Sequence, residues 1–138
     1  MRYRFVEHTA DIAIEIYGEN LESLLKNATL AFRDAFIFPE RILGDEVRNI
    51  KIEEEEDLYE YALYDWMNEL LYLFDAEHFA AIDAEVKVKR NGVLVVEGKL
   101  VGGKLSDEAV KVEPKAITLH NFKVEKEDGL KAFVVVDI

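Results

Sequence analysis

The sequence contains no cysteine, and this absence removes several kinds of chemistry at once. Disulfide bonds, thiolate metal sites and cysteine nucleophiles are excluded, so any metal ligand must be an oxygen or an imidazole nitrogen. The lack of cysteine agrees with a reducing compartment, and we expect a cytoplasmic protein. Glutamine is also absent, whereas glutamate and lysine are abundant, a composition typical of proteins from hyperthermophiles.

Long apolar runs are lacking as well, and we expect no export signal. No run approaches the roughly 20 apolar residues needed to cross a bilayer, so we expect no membrane span. The basic start, Met1 to Phe5, is followed by no apolar signal region and is predicted to form the first strand. A chain of 138 residues can bury one core, and we expect a single domain over residues 1–138.

The motifs of common nucleotide-binding and hydrolytic enzymes are missing too. There is no Gly-x-x-x-x-Gly-Lys-Ser/Thr loop, no Gly-x-Gly-x-x-Gly fingerprint, no Gly-x-Ser-x-Gly elbow and no His-Glu-x-x-His pair. The only serines, Ser23 and Ser106, have no histidine beside them in the sequence. We therefore expect a protein that is not itself an enzyme.

Positive charge is scarce relative to negative charge. The 17 Lys and Arg residues stand against 29 Asp and Glu residues, which gives a net charge of -12. Such a chain repels a phosphate backbone, so direct nucleic-acid binding is not expected. The acidic run Glu53–Asp57 can contact a basic partner protein, although acids at the start of a helix also simply stabilise the helix dipole.

Two segments have the apolar spacing of amphipathic helices. The first begins after Asn20, a good N-cap residue, and ends before Pro39. The second covers Tyr59 to Phe74, where Asp57 and Glu60 have the spacing of a capping box. The aromatic residues of this second helix indicate core packing rather than a cofactor site.

Strand patterns surround the two helices. Period-two or strongly apolar patterns predict seven strands over residues 3–6, 12–17, 47–52, 82–88, 93–101, 115–125 and 130–138. Asn-Gly and Asp-Gly pairs predict hairpin turns between the late strands. We therefore predict an α+β fold, a mainly antiparallel β-sheet with two amphipathic helices packed on it.

Two acids stand at the edges of apolar strands near opposite ends of the sequence, Asp11 and Asp137. Burying a carboxylate is costly unless it is paired or bound to a metal. If the two strands are neighbours, these carboxylates and an oxygen of Ile138 can bind a divalent cation such as calcium, magnesium or manganese. The alternative is that Asp11 caps a turn at residues 8–10 and Asp137 is a solvated chain end.

Three further side chains are candidates for function. His8 and His120 carry imidazoles that can bind a metal or transfer a proton near neutral pH. A single histidine among apolar neighbours is, however, more often a hydrogen-bonded structural residue. Lys115, directly after Pro114, can present a positive group to a phosphate or a carboxylate, and the alternative is an ordinary surface lysine.

Four motifs in this chain resemble those of one family, the archeases, in the same order and across the whole chain. They are Glu7-His8-Thr9-Ala10-Asp11, Trp66-Met67-Asn68-Glu69-Leu70-Leu71, Lys115-Ala116-Ile117-Thr118-Leu119-His120 and Val135-Val136-Asp137-Ile138. The segment Lys104–Glu113 matches weakly, so no role is transferred to it. Archeases are small activators of RtcB-type RNA ligases, which join tRNA exon halves after intron removal.

The resemblance implies a function in which the ligase performs the chemistry with GTP and manganese. This protein would promote guanylylation of the ligase and its multiple turnover, and could broaden the nucleotide that the ligase accepts. Carried over by residue, Asp11, Asp137 and Ile138 resemble a divalent-metal site, and Lys115 resembles an additional functional residue. His8 and His120 fall in matching motifs without an assigned role.

Two other functions stay open at this point. One is a chaperone-like acidic module for RNA-modifying enzymes such as methyltransferases, which would depend on the acidic run and not on Asp11. The other is a metal-dependent hydrolase that uses Asp11, His8 and His120, which would hydrolyse a phosphoester without a partner.

Overall fold

A computed structural model describes residues 1–7 and 10–138 of the chain. Within those residues there are seven strands, two α-helices and two short 3-10 turns. In chain order the elements are β1 (Tyr3–Val6), β2 (Asp11–Gly18), α1 (Leu21–Phe36), β3 (Glu46–Glu55), α2 (Tyr59–Ala76), β4 (Phe79–Arg90), β5 (Val93–Lys104), β6 (Ala116–Lys126) and β7 (Leu130–Asp137), with the 3-10 turns at Pro39–Arg41 and Asp107–Ala109. Neither α-helix is long and apolar enough to cross a membrane.

The strands form two antiparallel sheets rather than one. The first has the order β1-β2-β7-β6 and the second has the order β3-β5-β4. The predicted α+β class and its antiparallel pairing are confirmed. The Asn91-Gly92 turn joins β4 to β5 as predicted, with Gly92 at a φ of 79°, a conformation that glycine adopts without steric cost.

Helix α1 begins and ends for reasons that are visible in the sequence. The Asn20 side chain accepts a hydrogen bond from the Ser23 amide at 2.9 Å, which satisfies one free N–H group of the first turn. The apolar residues recur at helical spacing and are buried from Leu21 to Phe36. The helix stops before Pro39, which starts a short 3-10 turn.

The predicted capping box at the start of α2 is wrong. The N-cap residue is Leu58, without a side-chain cap, and Asp57 lies in a turn with a φ of 70°. The Glu60 carboxylate instead accepts a hydrogen bond from the Val124 amide of β6 at 3.2 Å. The Glu60 carboxylate, which local spacing assigned to the helix cap, therefore bonds to a residue that is distant in the sequence.

The only tryptophan connects α1, α2 and the second sheet. Trp66 is fully buried, and its indole N–H donates to the Thr29 hydroxyl at 2.9 Å. That hydroxyl donates in turn to the Leu25 carbonyl at 3.0 Å. The indole ring lies over Gly98 of β5, where an added Cβ would stand 2.5 Å from Cζ3. A side chain at residue 98 would therefore displace the indole.

Strand β6 contains a large bulge in its pairing with β7. Thr118 pairs with Val135 and Lys123 pairs with Phe133, so residues 119–122 stand opposite a single residue of β7. Within the bulge Asn121 has a φ of 53°, in the left-handed region that asparagine tolerates better than most residues. The bulge leaves Leu119 70% exposed.

Candidate metal-binding site

Asp11 and Asp137 face each other across the first sheet. Asp11 is the first residue of β2, Asp137 is the last residue of β7, and the two are direct partners in the antiparallel register. Directly opposed residues project to the same face of a sheet with Cβ atoms about 5 Å apart. The structure thus brings together the two acids that the sequence analysis expected to converge if their strands were neighbours.

The electrostatics of the pair show that the two carboxyl groups interact. Desolvation raises the pKa of Asp137, and a hydrogen bond with Asp11 and the negative charge of Asp11 raise it further. Two carboxylates at this distance repel each other when both are ionised. A shared proton or a bound cation relieves that repulsion.

Asp137 is also hydrogen-bonded on its other side. Its main-chain carbonyl accepts a hydrogen bond from the Lys115 amide at 2.8 Å, and Ala116 is its partner in β6. The backbone of Lys115 is therefore fixed beside the carboxylate pair, and its side chain is exposed. Ile138 follows directly and is 42% exposed.

The two histidine candidates are not equally placed. His8 lies outside the described residues, as does Thr9. His120 lies in the β6 bulge, exposed, with its amide donating to the Thr118 hydroxyl at 3.3 Å and its ring 3.4 Å from the Asn121 amide nitrogen. Along β6 it is thus separated from the position that pairs with Asp137.

Two clefts flank the pair on opposite sides. One, of about 390 Å³, is lined by Phe5, Val6, Glu7, Asp11, Ile12, Asp34 and Ala35. The other, of about 350 Å³, lies between α2 and the start of β6 and is lined by Asn68, Leu71, Tyr72, Asp75, Glu113, Pro114 and Lys115. A larger cleft of about 730 Å³ contains neither acid of the pair.

Sequence reasoning missed Asp34, which lines the first cleft together with Asp11. Arg33 holds this carboxylate through two hydrogen bonds of 2.8 and 3.0 Å, and the Tyr3 hydroxyl donates to it as well. Burial alone raises the pKa of Asp34, but these hydrogen bonds together hold it below its usual value. No sequence pattern marked Asp34, because it is one of several polar residues on an amphipathic helix.

Carboxylate oxygens such as those of this pair are donors that hard divalent cations prefer. Among the described residues no cluster of three or more histidine and acidic side chains has metal-site geometry. The pair by itself supplies two carboxylates, Asp11 and Asp137, and Ile138 follows Asp137 directly in the chain. Magnesium and manganese commonly use one or two carboxylates and complete their shell with water or with ligands from a partner.

The family of the chain follows from comparison with known proteins. The profile of the Archease protein family (MTH1598/TM1083) matches residues 3–138. The chain belongs to the archease family. A "Protein archease" of Archaeoglobus fulgidus is 58% identical over 139 residues, covering 100% of both chains. A "Protein archease" of Methanosarcina barkeri is 35% identical, covering 99% of this chain and 96% of its own.

Solved structures of similar proteins have the same fold as this archease. The solution structure of Methanobacterium thermoautotrophicum protein 1598 matches with a TM-score of 0.81 at 30% identity, covering 99% of this chain and 98% of that one. A crystal structure from Thermotoga maritima, described as an archease and possible chaperone, matches with a TM-score of 0.59 at 30% identity. It covers 100% of this chain and 98% of its own.

Proposed function

We propose that this archease activates an RtcB-type RNA ligase by promoting its guanylylation and multiple turnover. The observation that carries the proposal is the direct cross-strand pairing of Asp11 with Asp137 at the rim of the first sheet. An acidic pair at the ends of two neighbouring strands can be brought against a second protein without rearrangement of the fold. Membership of the archease family supports the choice of partner.

The residues of the pair have distinct parts in the proposed mechanism. Asp11 and Asp137 would hold the two sides of a cation site, with a backbone oxygen of Ile138 as a third donor. A divalent cation held there would supply positive charge near the GTP phosphates of the ligase, where negative charge develops during guanylyl transfer. The exposed Lys115, fixed by its backbone beside Asp137, adds a second positive group directed at the same phosphates.

The charge of the chain suits a protein partner rather than RNA. A net charge of -12 repels a phosphate backbone and attracts the basic surface that surrounds the RNA channel of a ligase. The archease would therefore dock on the ligase without competing for RNA. Rearrangement of metal and phosphate contacts at the ligase nucleotide site would also allow nucleotides other than GTP to be used.

The test is single-turnover guanylylation of a cognate ligase with GTP and manganese, with and without a substoichiometric amount of this archease. We expect the wild-type protein to accelerate the reaction, and Asp11→Asn and Asp137→Asn to remove most of the acceleration. Asp128→Asn is the matched control, because Asp128 precedes β7 at the end of the strand opposite Asp137. Asparagine also tolerates the φ of 46° at residue 128.

The results separate this function from the two others. Full activity of both site variants would contradict the metal-site mechanism. The Thermotoga protein is described as a possible chaperone. A chaperone-like module would instead lose function when the acidic run Glu53–Asp57 is neutralised and would be insensitive to changes at Asp11. Hydrolysis of a phosphoester by the isolated archease with manganese would favour a hydrolase.

A further inference from the structure

The β6 bulge exposes an apolar side chain that the fold does not require. Four residues of β6 stand opposite one residue of β7, and Leu119 at the start of this bulge is 70% exposed. The bulge is not open throughout, because the Phe122 ring packs edge-on against Tyr64 of α2 at 5.6 Å between centroids. Bulges of this kind commonly direct a side chain toward a functional surface.

Helix α2 exposes two tyrosines on one side. Tyr61 is 58% and Tyr72 is 56% exposed. They are about three helical turns apart, so they project in nearly the same direction about 16 Å from each other. Tyr72 lines a cleft with Lys115, and Glu60, next to Tyr61, accepts a hydrogen bond from the Val124 amide of β6. Tyr72 therefore borders the seam between α2 and β6, and Tyr61 projects from the same side of the helix as Tyr72.

We call the surface formed by Tyr61, Tyr72 and Leu119 the seam surface. It is continuous with the carboxylate pair. The Lys115 amide donates to the Asp137 carbonyl, and β6 leads from there to the bulge. Leu119 lies about 10 Å along β6 from Ala116, the residue paired with Asp137. One protein interface covers about 800 Å² per partner, a patch about 30 Å across, which is wide enough to include both features.

The charge around the seam surface is negative on balance and favours a basic partner. Exposed acidic residues on α2 and before β6 outnumber the exposed lysines of β6 and of the residue before it. The acids are Glu60, Glu69, Asp75 and Glu113, and the lysines are Lys115, Lys123 and Lys126. Apolar and tyrosine side chains inside an acidic border match the usual composition of an interface, which has an aromatic centre and a charged rim.

We propose that the seam surface is where the ligase docks, with Leu119 and Tyr72 as anchors that place the Asp11–Asp137 pair against the ligase nucleotide site. This inference rests on the proposed function. The anchors supply affinity, whereas the carboxylate pair acts only after docking. Loss of an anchor should therefore change the concentration of archease that is needed, and loss of a carboxylate should change the rate at saturation.

The experiment compares Leu119→Asp and Tyr72→Ala with wild type. Binding to the ligase is measured by isothermal titration calorimetry, and guanylylation is measured over a range of archease concentrations. For each variant we expect about tenfold or greater weakening of binding and an equal rise in the half-saturating concentration, with the maximal rate unchanged. Leu43→Asp is the matched control, because Leu43 is 74% exposed in the loop before β3, outside the seam surface. Asp11→Asn should show the opposite pattern, with near wild-type binding and a low maximal rate.

Each outcome supports or overturns one claim. Both side chains are exposed, so circular dichroism should show that the variants remain folded. If wild type activates the ligase and both variants bind within twofold of it, the docking surface is wrong and the proposed function stands. If wild type neither binds nor activates the ligase, the proposed function is wrong and the docking proposal falls with it. A wild-type dimer in sedimentation that Leu119→Asp dissociates would assign the seam surface to a second copy of the chain and overturn ligase docking.

Discussion

Replacing Thr29 by valine should destabilise the protein although it keeps the size and shape of the side chain. Thr29 is 1% exposed and is the acceptor for the indole N–H of Trp66, which is fully buried. Valine leaves that N–H without a partner, at a cost of about 1–3 kcal/mol. The added methyl group recovers part of this, so we expect a net loss of about 1–2 kcal/mol in the free energy of unfolding. For a domain of this size the melting temperature should fall by about 3–8 °C.

A double-mutant cycle with Trp66→Phe isolates the hydrogen bond from the change in packing. Phenylalanine has no donor, so Thr29→Val should cost little in that background, and the coupling free energy should be about 1–2 kcal/mol. Urea unfolding of the four proteins gives the free energies. Because the chain has a single tryptophan, the indole N–H resonance reports the bond directly in wild type and in Thr29→Val. A coupling free energy within about 0.5 kcal/mol of zero would refute the reasoning.

Two further predictions concern stability. A hydrogen bond with Asp65, burial, and the negative charges of neighbouring acids raise the pKa of Glu54 from 4.5 to about 7. The folded protein therefore binds more protons than the unfolded chain between these values, and its stability should fall as the pH rises through that window. After discounting for solvent screening, Glu54→Gln should stabilise by up to about 1 kcal/mol at pH 8 and by little at pH 5 in urea titrations. Glu69→Gln, on the exposed face of α2, is the control, and an equal gain at both pH values would contradict the assignment. Gly98→Ala should lower the urea midpoint, because its Cβ would stand 2.5 Å from Cζ3 of the buried Trp66 ring, and an unchanged midpoint would show that the indole can move.

The elements that local chemistry determines were predicted well. Asn20 caps α1 and Asn91-Gly92 turns the chain between β4 and β5, as their residue types indicate. Alternation along β2 and the apolar run of β7 were enough to place each as a strand, and the positions of Asp11 and Asp137 at the strand ends suggested that the two acids could meet. The register that makes them partners depends on how β2 and β7 pair in the sheet, and the sequence of either strand alone does not predict it.

The features that depend on contacts distant in sequence were not predicted. The division into two sheets depends on which strands become neighbours. The Glu60 carboxylate accepts a hydrogen bond from the Val124 amide rather than capping α2, so the capping-box spacing of Asp57 and Glu60 predicted the wrong hydrogen-bond partner. The β6 bulge places residues 119–122 opposite one residue of β7, and the predicted strand over residues 115–125 did not include it. The roles of Asp11, Asp137, Ile138 and Lys115 remain predictions that the proposed experiments test.

The pairing of β2 with β7 links the candidate site to folding of the whole chain. The carboxylates of Asp11 and Asp137 lie near opposite ends of the sequence, so they meet only after a very long loop has closed, which is a slow kind of contact to form. An unfolded chain holds them apart and would not bind the proposed cation. A cation present at a hundred times its dissociation constant would therefore raise the free energy of unfolding by about 2.7 kcal/mol. If the proposed function holds, the ion offered to the ligase would also bias the archease toward its folded state, so unfolded molecules would carry none.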